Sequence, residues 1–205
     1  MEAIIFDLGG VLLNLNYNLA INAFEKLGIN NAQNLFSQKS QTKFFDDFET
    51  GSITASEFRD EIRKFIPGSV TNQQIDNAWN AMLLGFPENR FSFLQTVSKT
   101  HRIFLLSNTN EIHMSWFKNY VNKEFGTDVF FNLFEEAYLS NELGMRKPHK
   151  EIFEFVVMEN NLPSSQTLFI DDSPQHLIGA KEAGLQTIWL EAGMETVDVL
   201  APFLA

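Results

Sequence analysis

The sequence predicts an α/β protein, a doubly wound parallel sheet carrying a small all-helical insertion, and three observations predict it. Short, almost uninterrupted apolar runs recur along the chain, as expected of strands covered on both faces. From about residue 100 onward these runs alternate with helical segments, the pattern of parallel strands joined by right-handed crossovers. From about Asn16 to Leu84 the periodicity is helical, with no convincing strand.

The elements follow in order. Ala3-Ile4-Ile5-Phe6-Asp7 before Gly9-Gly10 reads as a buried strand that ends in a carboxylate and meets a turn. Within the insertion, Gly51-Ser52 marks a turn. Thr54-Ala55-Ser56-Glu57 and Thr71-Asn72-Gln73-Gln74 are capping-box patterns, in which hydroxyl and acid or amide each satisfy a free N–H at a helix start. A strand is predicted at Arg102–Leu106, then a helix from Asn110 to about Lys123, and a weaker strand at Ala137-Tyr138-Leu139. A helix from Pro148 to Asn160 leads to a strand at Thr167–Ile170, a helix from Pro174 to Ala183, and a last weak strand at Thr187–Leu190. Pro148 and Pro174 each suit the first helical position, where no N–H is needed, and Gly184 suits a C-terminal stop. These elements assign residues 1–15 and 86–205 to a Rossmann-like core and 16–85 to a helical cap.

A chain of 205 residues has room for one core plus a small inserted unit. At 44% hydrophobic and 20% charged residues its composition excludes extended disorder. No apolar run approaches the roughly 18 residues of a membrane span, and Met1-Glu2-Ala3-Ile4 lacks the basic lead of a signal peptide, so a cytoplasmic protein without a membrane partner is expected. The absence of cysteine removes disulfides, thiolate metal sites and thiol nucleophiles. A net charge of −11 disfavours nucleic acid as a partner, because binding to its backbone relies on basic patches. A small phosphate would need charge inverted locally. The 21 phenylalanines are assigned to the core and to its seam with the helical unit rather than to a ligand surface. A monomer or weak dimer is expected.

In open α/β sheets ligands bind beyond the carboxyl ends of the strands, so the polar residues there carry the chemistry. Three apolar runs end at Asp7, at Ser107-Asn108 and at Asp171-Asp172, and Lys147 stands just before a helix-opening proline. Taken singly, each has an ordinary reading: Asp7 as a turn carboxylate, Ser107 or Asp172 as a helix cap, Lys147 as a solvated lysine. Taken together, three carboxylates at one sheet edge repel one another by about 4 kcal/mol per pair at ~4 Å and an effective dielectric of 20, and need a cation. A cluster with oxygen ligands only, lacking histidine and cysteine, favours Mg²⁺.

Phe6-Asp7-Leu8-Gly9-Gly10-Val11, Leu105-Leu106-Ser107-Asn108-Thr109, Arg146-Lys147-Pro148 and Phe169-Ile170-Asp171-Asp172 resemble, in order and spacing, the four motifs of haloacid dehalogenase-like hydrolases. The wording of Ser107-Asn108-Thr109-Asn110 and Leu143-Gly144-Met145-Arg146-Lys147-Pro148 is similar to the subgroup containing bacterial α-D-glucose-1-phosphate phosphatase and the phosphatase domain of soluble epoxide hydrolases. The resemblance implies a Mg²⁺-dependent phosphatase acting on a small phosphorylated metabolite, such as a sugar 1-phosphate, through an aspartyl-phosphate on Asp7. It implies that Asp7, the Gly9 carbonyl and the Asp171-Asp172 pair hold the metal, with Asp172 the direct ligand of that pair. Ser107, the Asn108 N–H and Lys147 would bind the phosphoryl group.

One departure stands out. The family's phosphatases place a second aspartate two residues after the nucleophile, where it moves the leaving-group proton, and this sequence has Gly9 there. General acid–base help is commonly worth about 10²–10⁴ in rate. Either the substrate has an easy leaving group, such as an anomeric oxygen, or another acid substitutes, with His113, Asp46, Asp47 and Glu49 as candidates. The turn Phe48-Glu49-Thr50-Gly51 is the part of the cap expected to reach the pocket. A metal-independent dehalogenase on the same fold and a catalytically weak binding or regulatory protein are the alternatives.

Overall fold

The structure is a computed structural model that describes residues 1–33 and 43–203. Five strands, β1 (Ala3–Phe6), β4 (Arg102–Ser107), β5 (Glu136–Leu139), β6 (Thr167–Asp171) and β7 (Gln186–Trp189), form one sheet in the order β5-β4-β1-β6-β7. Every pairing is parallel, with Phe6 level with Leu105 on one side and Ile170 on the other. The tips of the three central strands therefore end together, which brings Asp7, Ser107 and Asp171 to one edge.

Successive side chains of a strand point to opposite faces, and the core divides accordingly. Ile4, Phe6, Ile103, Leu105, Leu168 and Ile170 pack one face against helices α5 (Glu88–Val97) and α6 (Glu111–Phe125) and the Phe130-Phe134 turn. Ala3, Ile5, Phe104, Leu106 and Phe169 pack the other against α8 (Lys150–Glu159) and α9 (Pro174–Glu182). Helices on both faces make the sheet doubly wound, as predicted. A short helix α7 (Ser140–Leu143) follows β5, and α10 (Thr196–Leu200) closes the chain's last turn over the first face.

The segment after β1 forms α1 (Tyr17–Lys26), α2 (Lys43–Glu49), α3 (Ala55–Arg63) and α4 (Asn72–Asn80), around a core of their own. Phe24, Phe45, Phe48, Phe58 and Trp79 fill that core, with Phe48 stacked on Phe58 at 4.2 Å. Burying each such ring contributes roughly 1.5–3 kcal/mol, and this core stabilises a unit too small to rely on local propensity alone. Both predicted capping boxes are present, at Thr54/Glu57 and Thr71/Gln74.

Two expectations are corrected. The segment to Leu84 is not free of strand: β2 (Asn14–Leu15) and β3 (Leu83–Gly85) pair antiparallel where the chain leaves and re-enters the helical unit. Backbone groups at two crossing connections pair with each other there, a long-range pairing that leaves little periodic trace in so few residues. Pro148 does not open a helix. The Lys147–Pro148 bond is cis and α8 begins at Lys150, because the backbone at 147 is held by Asn108 and the Pro148 carbonyl is set against α9. Pro174, in contrast, does occupy the first turn of α9.

Candidate active site

Lys147 is the hub of the site. It is fully buried, with Nζ 2.8 Å from Asp7 Oδ1 and 2.7 Å from Asp171 Oδ2. Its place is set by a pair of hydrogen bonds to one side chain: Asn108 Nδ2 donates to the Lys147 carbonyl and the Lys147 N–H donates to Asn108 Oδ1, both at 2.9 Å. The amide of Asn108 thus pairs with residue 147 as a neighbouring strand would, locking the loop that carries the lysine to the tip of β4. Asp171 is fixed from the other side, accepting from Ser173 N–H at 2.8 Å and lying 3.0 Å from His176 Nδ1.

Ligand oxygens of Asp7, Asp171 and Asp172 lie within 4.8 Å of one another. Three carboxylates face one ammonium, so two negative charges are left unmatched, and a divalent cation fits that deficit. Because Asp171 is engaged by Lys147, Ser173 and His176, Asp7 and Asp172 are the freer donors. The Gly9-Gly10 turn closes on the same spot: Gly10 has a φ of +76°, and a Cβ there would lie 2.1 Å from Asp172 Oδ2. Only glycine allows the backbone to approach that carboxylate so closely.

The electrostatics agree. Burial pushes the Asp7 carboxyl up to about 8; Lys147 opposes the rise, and Asp171 and Asp172 add to it. Asp172, which lines the cavity, is raised to about 6, first by desolvation and then by Asp171. Asp171 goes the other way. Burial would raise it, yet Lys147 and His176 hold it below the ordinary carboxylate value. Burial would likewise lower Lys147, but Asp171 and Asp7 outweigh it and keep the ammonium charged.

A cavity of about 420 Å³ opens over this cluster. Asp7, Gly9, Ser107, Asn108, Lys147 and Asp172 line it, and Asp171 sits behind Lys147. The helical unit supplies Tyr17, Phe45, Glu49, Trp79, Met82 and Leu83 to its wall. Of the residues considered as a substitute acid, His113 and Glu49 reach the cavity, and Asp46 and Asp47 do not line it. Asp46 joins Arg146, whereas Asp47 pairs with exposed Lys43 at 2.7 Å. Glu49 lies 2.8 Å from Arg146 Nη2, and its carboxyl is raised by burial against the pull of that guanidinium. Beside Gly9, the place where a Cβ would stand is 2.7 Å from Leu15 Cδ1, so an apolar side chain fills the room a second carboxylate would take.

Sequence reasoning missed Tyr17, Trp79 and His176. The first two belong to helices whose local pattern says only that they are amphipathic; the third stands five residues after Asp171 and meets it only because α9 opens immediately beyond β6.

The sequence profile of the haloacid dehalogenase-like hydrolases matches residues 4–190. A curated D-ribitol-5-phosphate phosphatase of Bacteroides thetaiotaomicron is 31% identical over 197 residues, covering 95% of this chain and 94% of its own. A HAD-family enzyme of the same organism, solved as the wild-type protein with magnesium and inorganic phosphate, superimposes with a TM-score of 0.87 at 36% identity, covering 95% of this chain and 96% of its own. A HAD-like family hydrolase of Porphyromonas gingivalis superimposes with a TM-score of 0.89 at 28% identity, over 100% of this chain and 98% of its own.

Proposed function

This chain belongs to the haloacid dehalogenase-like hydrolases, and on that premise we propose that it is a Mg²⁺-dependent phosphatase of small phosphomonoesters with Asp7 as nucleophile. The observation that carries the proposal is the cluster of Asp7, Asp171 and Asp172 around Lys147 at the mouth of a cavity large enough for a small metabolite. Support for the metal comes from the unmatched charge and from the magnesium and phosphate in the structurally similar enzyme.

Asp7, Asp172 and the Gly9 carbonyl would hold the ion, with Asp171 completing the acidic pair behind it. Bound there, Mg²⁺ supplies charge neutralisation and polarises phosphoryl oxygens. The rest falls to the chain. Lys147 and Asn108, locked together, hold the phosphoryl group with the Ser107 hydroxyl beside them, so that positioning and fixed charge replace reorganised water. An Asp7 carboxylate oxygen forms a bond to phosphorus as the ester P–O bond breaks, and the departing oxygen takes a proton from solvent. Water then attacks the same phosphorus, releasing inorganic phosphate and returning Asp7 as carboxylate. Burial raises the Asp7 carboxyl, and a cation bound beside it would favour its charged, nucleophilic form.

Residues 16–85 act as the cap, and the substrate is a polyol or sugar phosphate. The named relative acts on D-ribitol 5-phosphate, and Tyr17, Glu49 and His113 put hydrogen-bonding groups into the cavity. The anomeric 1-phosphate remains within this class, its easier leaving group offsetting the acid absent at Gly9. Unmatched negative charge argues against a dehalogenase, which would work without metal. The test is release of inorganic phosphate from p-nitrophenyl phosphate and from polyol phosphates, with Mg²⁺ and with chelator, using the wild type and Asp7→Asn. We expect Mg²⁺-dependent turnover and a loss of about 10³-fold or more in the variant; turnover that persists in chelator or in Asp7→Asn would refute the reading.

A further inference from the structure

Part of the cavity wall is built where the cap helix α4 meets the core helix α6. Trp79 Nε1 donates to Asn110 Oδ1 at 3.4 Å, and the indole stacks on the His113 imidazole with centroids 4.7 Å apart and planes at 15°. Asn80, the next residue of α4, places Oδ1 2.8 Å from His113 Nδ1. An amide oxygen can only accept, so Nδ1 carries the proton and donates. Burial pushes this imidazole down to about 3, and a neutral ring has a single N–H. His113 Nε2 is therefore a bare acceptor. It makes no hydrogen bond to any described residue, and the ring borders the cavity together with Trp79, Met82 and Met114. Thioether and indole faces offer it no strong donor, so an occupant with a hydroxyl at that point gains a hydrogen bond that an alkyl group cannot make.

We propose that His113 Nε2 accepts a hydrogen bond from a hydroxyl of the leaving group, and so selects polyol and sugar phosphates over alkyl phosphates of the same length. This rests on the phosphatase reading and names the residue that determines specificity within it. The role differs from that of a substitute general acid, because a ring that holds its only proton on Asn80 has none to give to the departing oxygen. Sites built around one substrate hydroxyl reject analogues lacking it strongly, because the site's own polar atom is then left unpaired.

The test compares ribitol 5-phosphate with n-pentyl phosphate in the wild type, in His113→Phe and in His113→Gln, with p-nitrophenyl phosphate plus Mg²⁺ as reference for the wild type. The wild type is expected to favour the polyol ester by roughly 10²-fold in kcat/KM, mostly through KM. His113→Phe keeps a flat ring on Trp79 without the acceptor and should reduce that ratio by roughly 10- to 100-fold; His113→Gln, which retains an acceptor, should hold it within a few fold. A ratio unchanged in a folded His113→Phe, or collapsing equally in both variants, overturns the assignment. Should His113→Phe fail to fold, ¹⁵N spectra of labelled histidine in Asp7→Asn decide: a shift of Nε2 on adding ribitol 5-phosphate supports the contact, and none overturns it. Wild-type hydrolysis of the reference ester without polyol preference retires this inference alone, whereas no Mg²⁺-dependent hydrolysis of any ester retires the phosphatase reading with it.

Discussion

At the scale of single residues, Gly9 and Leu15 belong together. An aspartate at position 9 would bring its Cβ to 2.7 Å from Leu15 Cδ1, the far end of a side chain that can turn aside. Gly9→Asp combined with Leu15→Ala should raise turnover of alkyl phosphates, whose leaving oxygen needs a proton, by roughly 10²-fold, the lower end of what acid–base help contributes. Leu15→Ala alone should not. Rates for the double variant no higher than wild type would show that a missing carboxylate is not what limits these esters. The raised carboxyls make a second prediction. Asp7 and Asp172 are raised to about 8 and about 6 from the ordinary aspartate value of 3.8, so the folded protein without metal binds more protons than the unfolded chain over that range of pH. Their contribution to stability is therefore present at low pH and is lost as pH rises, through about 6 for Asp172 and about 8 for Asp7. Asp171, held low, titrates below this window. Because Mg²⁺ competes with those protons, its increment in melting temperature should be larger at pH 8 than at pH 5.5. Thermal melts in both buffers, with and without Mg²⁺, measure it; an increment equal at both pH values contradicts the assignment of these groups to the ion.

At the scale of elements, the helix α9 decides where Lys147 sits. A Cβ at Gly179 would lie 1.8 Å from the Pro148 carbonyl oxygen, a backbone atom that cannot swing away. Gly179→Ala should push the 147–148 loop outward and cost about 1–3 kcal/mol of stability, with phosphate turnover falling further because the ammonium leaves its carboxylates. Gly68→Ala is the matched control, since a Cβ there meets nothing within 4 Å. Equal melting temperatures for the two variants would mean that α9 does not set the loop. A motif centred on Arg146-Lys147-Pro148 thus depends on a helix some thirty residues away, which packs on it through the absence of a side chain.

At the scale of the whole molecule, the described residues join the helical unit to the core along two seams. One is the α4–α6 seam of Trp79, Asn80, Asn110 and His113; the other is Arg146, which pairs with Asp46 and Glu49 of α2, beside Ser140 Oγ donating to the Glu49 carbonyl at 2.6 Å. The guanidinium side chain is 18% exposed, and its removal leaves the Glu49 carboxyl at the cavity without its ionic partner. Arg146→Met should speed hydrogen exchange in Lys43–Glu49 by roughly tenfold and raise KM, while leaving exchange in β1 and β6 as it was. Exchange that rises equally in the sheet would assign Arg146 to global stability rather than to holding the helical unit against the core.

Much of this protein was legible before its structure. Asp7, Ser107 and the Asp171-Asp172 pair were marked by their place at the ends of apolar runs, because a parallel sheet delivers strand tips to a common edge whatever the details of packing, and Lys147 by its place just before Pro148. The helical unit and its two capping boxes were equally plain, since capping is local and written within four residues. The β2–β3 ladder, the helix start at Lys150, the second role of Asn108 and the entry of Tyr17, Trp79 and His176 into the site were decided only by tertiary structure. Each depends on groups distant in sequence meeting in space: a side-chain amide pairing with the backbone at 147, a histidine ring nitrogen meeting the Asn80 side chain, a helix lacking a side chain where a carbonyl arrives. Local periodicity records which face of an element is buried, but holds no record of what it is buried against.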